Sequence, residues 1–182
     1  MLEALNNLYD YQKIAKTIGM TPLASKLLDV FLDQNFSGHG IVNIDHTEHG
    51  LPFIEFGSDS LVHETLRKAS FNKRLVKNAI QNKLHKNIAM PTDVDSHSFY
   101  VNGVDNALGL GRASAIVTFK FNHEMIEAKI TIVDNWDHSK FEAAMGYFLR
   151  DAYIVQQSGV RSTFAYKTTY DIDYHISEFF HE

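Results

Sequence analysis

Three stretches of this chain alternate apolar and polar residues with a period of two, the mark of an extended strand with one buried face. In Ser114–Phe121 the residues Ala115, Val117, Phe119 and Phe121 fall on one side. In Met125–Val133, Ile126, Ala128, Ile130 and Ile132 oppose Glu127, Lys129 and Thr131. In Arg161–Ile176, Tyr166, Thr168, Tyr170 and Ile172 oppose Lys167, Thr169, Asp171 and Asp173, as one long strand or a hairpin. Asn122-His123-Glu124 join the first two as antiparallel neighbours, and His97–Val101 reads as a strand before them.

Helical periodicity occupies the remainder. Residues 2–34 read as a helical hairpin, with Thr21 and Pro22 as N-cap and first helical position leading Leu23, Leu27, Leu28 and Phe31. Gly38, Gly40, Gly50 and Gly57 break that pattern, which predicts a loop-rich connector with one short strand around Pro52–Phe56 and a soft boundary near Gly50. Residues 1–50 then form a helical region and connector, and 51–182 a second unit. Asp59–Leu84 returns to helix in two pieces, the second capped by Ser70 and buried through Leu75, Val76, Ala79, Ile80 and Leu84. Helices followed by antiparallel strands give an α+β class.

With 182 residues, 45% of them hydrophobic, the chain is long enough to bury a core. A formal charge of -5 and a pI near 6.0 argue against nucleic acid as the main partner, because duplex affinity rests on Lys and Arg neutralising phosphates. There is no cysteine, hence no disulfide framework and no thiolate chemistry. No apolar run reaches membrane-span length and the first residues lack a basic, cleavable leader, so a soluble chain without a signal peptide is expected.

Chemistry concentrates in Asp134-Asn135-Trp136-Asp137-His138-Ser139-Lys140, where a strand hands over to a helix. Ser139 and Glu142 have capping-box spacing, and Phe141, Ala144, Met145, Phe148, Leu149 and Ala152 recur at helical intervals. Two carboxylates at such a junction suit a divalent cation, so Asp134 and Asp137 are its candidate ligands. Either acid can instead serve as a general base towards water. His138 can move a proton, Lys140 or Arg112 can sit on a phosphate oxygen, and Trp136 offers an indole N–H and an apolar face. The bland reading is a turn whose Asp and Asn satisfy local N–H groups. Asp45-His46-Thr47-Glu48-His49 has ligand-like spacing but reads as a solvated loop, and Tyr170-Asp171-Ile172-Asp173-Tyr174-His175 reads as a solvated strand face.

From about Phe56 onward the chain resembles the catalytic domain of colicin M and related lipid II-degrading bacteriocins. The resemblance rests on the helix Asn72–Leu84, the Ala107-Leu108-Gly109-Leu110-Gly111 turn and Asp134-Asn135-Trp136-Asp137, which stands where that family carries Asp-x-Tyr-Asp. Trp136 replaces the family's Tyr, and the His-Arg pair that follows there is absent, with only His138 and Lys140 nearby. The resemblance implies a half-barrel-like sheet packed with helices and Mg2+-dependent hydrolysis of lipid II between its undecaprenyl group and pyrophosphate. It also implies an antibacterial effector, expected to be monomeric, acting in the periplasm of a target bacterium and neutralised by an immunity protein. Residues 1–50 are too few for both receptor binding and translocation, so a secretion-system carrier is expected. The rival reading is a non-catalytic phage, immunity or adaptor module that uses an α+β fold for binding.

Overall fold

In the computed structural model, residues 1–18, 22–34, 36, 38–85, 95–100, 112–138 and 147–180 are described. Their elements are α1 (Leu2–Ile18), α2 (Pro22–Asp33), β1 (Ile41–His46), β2 (Pro52–Phe56), α3 (Leu61–Arg67), α4 (Phe71–His85), β3 (Asp95–Tyr100), β4 (Arg112–Asn122), β5 (Met125–Trp136), α5 (Tyr147–Gln157) and β6 (Phe164–His175). The six strands make one open sheet in the order β1-β2-β6-β5-β4-β3. Every pairing is antiparallel except β2 with β6. The class is therefore α+β, with N-terminal helices and a mostly antiparallel sheet that does not close into a barrel.

Alternation in β4 to β6 becomes two unlike faces. Ala115, Val117, Ile126, Ile130, Ile132 and Tyr166 are buried, whereas Lys120, Lys129, Asp171 and Asp173 are exposed. The helices supply the other half of the core: Leu8 of α1, Leu27 and Phe31 of α2, Val62 and Leu66 of α3 and Val76 of α4 join the sheet residues in one apolar cluster. Gly50 lies in the turn between β1 and β2, and the shared core draws on residues from both sides of it. Among the described residues no helix is long and apolar enough to cross a membrane.

Two expectations are corrected. The connector holds a β-hairpin rather than a single short strand, with β1 pairing Ile44 to Ile54 and Asp45 to Phe53. Strand β5 does not stop at Val133; it continues through Trp136, because Asp134, Asn135 and Trp136 pair with Tyr166, Ala165 and Phe164 of β6. A ladder of backbone hydrogen bonds thus overrides the turn preference of Asp and Asn. The expected capping box at Ser139 and Glu142 lies outside the described residues, as do Thr21 and the 107–111 turn.

The start of β1 shows why one glycine is required. Gly40 has φ of +72°, and a Cβ there would stand 2.5 Å from the Ser60 Cα. Its carbonyl accepts from the Gly57 N–H at 2.8 Å, while the Ser60 hydroxyl caps α3 by accepting from the Val62 N–H at 3.1 Å. Gly40→Ala therefore meets both a left-handed backbone and a backbone clash, and it should cost about 2–4 kcal/mol. Gly50→Ala, at φ of +77° in open space, should cost only about 1 kcal/mol. Chemical denaturation of both variants checks the ranking, and equal midpoints would refute it.

Candidate functional site

β5 and β6 set the site by register. On β5, Asp134 and Trp136 share the core-facing side with Ile126 to Ile132, so the first acid of the cluster points inward. Asp134 Oδ1 accepts from the Asn135 N–H at 2.8 Å. Directly across the ladder stands Tyr166, fully buried. Burial, and next the Asp134 carboxylate beside its phenol, push the Tyr166 pKa well above the usual tyrosine value, so the hydroxyl stays protonated, although it makes no hydrogen bond among the described residues.

Trp136 is 2% exposed and belongs to the core. Its ring stacks on Phe164 at 6.4 Å and meets His138 edge-on at 5.0 Å, and its Nε1–H has no acceptor among the described residues. His138 is also buried; its backbone N–H donates to Gln156 Oε1 of α5 at 2.8 Å. Phe148 of α5 sits at the edge of His138 and stacks on Tyr11 of α1 at 4.4 Å, so α1 and α5 close over this end of the sheet. Asp137, just past the strand, is exposed.

Of the residues singled out from the sequence, the strand end thus gathers Asp134, Trp136 and His138 on the covered side and leaves Asp137 facing water. Arg112 opens β4 two residues before Ser114, the partner of Val133, which brings its backbone to the same end of the sheet. Lys140 lies outside the described residues. Asp45 and His46 fall on β1 as edge-strand residues, where Asp45 Oδ1 accepts from the His46 N–H at 2.8 Å. On β6, Tyr170 turns inward to donate to Asn72 Oδ1 at 2.9 Å, while Asp171 and Asp173 face out, as a strand with one solvated face requires.

Tyr166 was not among the candidates, although its alternation is legible, because only the β5–β6 register shows that it opposes Asp134. The same applies to the next inward residue. Thr168 donates to the Phe56 carbonyl at 3.1 Å, so its oxygen accepts from His63 Nδ1 at 3.0 Å and leaves His63 Nε2 with the lone pair. Burial, then the Arg67 charge, lower the His63 pKa and favour that neutral form. Tyr166, Thr168 and Tyr170 therefore line the covered face of β6 with a row of hydroxyls, each set against a polar group from another element.

The donor set can be tested against a hard divalent cation. Two carboxylates within four residues have the right chemistry, and Asp137 is exposed. Asp134 Oδ2 is shielded from water, so joining Asp137 on one ion requires its side chain to turn away from the covered face. Among the described residues no cluster of three or more His, Asp or Glu side chains is poised for a metal. The chain matches no family model, no curated protein and no solved structure.

Proposed function

We propose that this chain is an antibacterial hydrolase of lipid II, cutting the bond between the undecaprenyl group and the pyrophosphate. The observation that carries the reading is the phenol of Tyr166 set against Asp134. The Asp-x-Tyr-Asp motif of the family the chain resembles sets a phenol between two acids at a strand-to-helix handover. Here Trp136 occupies the motif's aromatic position, and the neighbouring strand supplies a phenol on the first acid instead.

In this reading Asp137, the exposed carboxylate, takes a proton from the attacking water. Asp134 accepts from the Asn135 N–H beside the Tyr166 phenol, and shapes the field behind the reacting bond. Arg112 and Lys140 neutralise pyrophosphate oxygens, and Trp136 and His138 pack the floor. Asp137 and Asp134 are the carboxylates that would hold Mg2+, Asp134 only after giving up its place beside Tyr166, and the ion would supply charge stabilisation on the pyrophosphate. The substrate's head group faces the periplasm of the target cell, which places the activity there and calls for a carrier and an immunity protein. Burial of Trp136 and His138 and the shielded oxygen of Asp134 favour a second reading, a non-catalytic binding module. Chelator separates the two, since a binding module keeps its activity.

Expression with a periplasmic signal tests the target. Gram-negative cells should lyse, cytoplasmic expression should do far less harm, and Asp137→Ala should be harmless in both compartments. Equal toxicity in the cytoplasm, or lysis by Asp137→Ala, would rule out this target.

A further inference from the structure

We propose that the cleft between α1, α2 and the segment leading into β6 binds a phosphate-class oxyanion, recognised chiefly by Arg161. This does not rest on the reaction proposed above. The cleft has a volume of about 380 Å³ and is lined by Lys16, Asp29, Asp33, His39 and Arg161, with Tyr9 and Gln12 on the α1 side.

Its acids are already engaged. Buried Asp29 accepts from the Gln12 amide and pairs with Lys16 at 2.9 Å and, more loosely, with Lys26 at 3.9 Å. Asp33 pairs with His39 at 3.1 Å. Arg161 differs: among the described residues no carboxylate lies within ion-pair distance of it. Its Nη1 donates to the Val160 carbonyl at 3.1 Å and its Nη2 to the Tyr9 hydroxyl at 3.3 Å, while its Nε is shielded from water and has no acceptor among the described residues. A shielded guanidinium N–H with nothing to bond to is costly, and a shift of the Arg161 side chain that brings this N–H to an anionic acceptor in the cleft removes that cost.

The guanidinium is also held ready. Gln34, at the end of α2, donates to the Ser162 carbonyl at 3.2 Å and accepts from the Ser162 N–H at 3.0 Å, tying down the loop just after Arg161. Tyr9, having accepted from Arg161, keeps its own O–H to donate. Lys16 has three ammonium N–H groups and is 55% exposed, so it can meet a second oxygen without leaving Asp29. Donors converging from a fork, an ammonium and a phenol match the several oxygens of a phosphate better than the two of a carboxylate. The volume leaves room for the group a phosphate esterifies.

The test uses the full chain and inorganic phosphate at constant ionic strength. The Arg161 Nε–H resonance should shift saturably with phosphate, more weakly with acetate, and not with chloride. By calorimetry Arg161→Gln should weaken phosphate binding by about tenfold or more, Lys16→Gln should weaken it less, and Arg67→Gln should leave it unchanged. If Arg161→Gln fails to fold, Arg161→Lys keeps the charge but loses the fork, and it should show the same direction of change. No saturable shift at Arg161, a chloride response equal to that of phosphate, or unchanged affinity in the Arg161 variants would overturn the proposal. Acetate binding as tightly as phosphate would overturn the phosphate class.

Discussion

Asp137→Ala should cut lipid II hydrolysis by about a thousandfold or more while changing stability by less than about 1 kcal/mol, because the residue is exposed. Asp134 should behave differently. Asp134→Ala strips the Asn135 N–H of its acceptor and opens a gap beside the fully buried Tyr166 phenol, which should cost about 1–3 kcal/mol on top of the lost activity. Asp134→Asn keeps an acceptor oxygen for the Asn135 N–H and removes the charge, so it should fold nearly as wild type and still be inactive. Turnover of folded variants, with their melting temperatures, checks all three. An active Asp134→Asn would show that the charge is not used, and an active Asp137→Ala would remove the exposed acid from the chemistry.

Trp136 should carry the largest stability effect. At 2% exposure, stacked on Phe164 and meeting His138 edge-on, its truncation to alanine empties a large volume beneath α1 and α5. Trp136→Ala should cost about 3–5 kcal/mol. Trp136→Phe should cost far less, since it leaves a smaller void and also removes a buried N–H that has no acceptor among the described residues. Urea unfolding of the two variants checks the difference. Similar losses in both would mean that the indole N–H, rather than the ring's bulk, is what matters at this position.

The sheet was legible where burial alternates. Strands β4, β5 and β6 each present an inward apolar row against Lys, Thr and Asp, and period two follows from that geometry. Strand β1 was hidden because it lies at the sheet edge with Val42, Asn43, Ile44, Asp45 and His46 all exposed, so no apolar face repeats along it. The parallel pairing of β2 with β6 joins residues more than a hundred positions apart, beyond the reach of any local pattern. The same limit applied at the site. Asp134 and Asp137 were visible as acids in a short polar stretch, but reading that stretch as a turn gave both of them to solvent. The ladder to Phe164–Tyr166 extends the strand, turns Asp134 inward and leaves Asp137 out. Tyr166 enters the site only through that register.

Incubating the purified full chain with lipid II and Mg2+, then separating the products, tests the central claim most directly. Release of the undecaprenyl alcohol and the pyrophosphoryl head group is expected, stopped by chelator and absent with Asp137→Ala. Intact lipid II after prolonged incubation of folded protein, or the same products from Asp137→Ala, would contradict it.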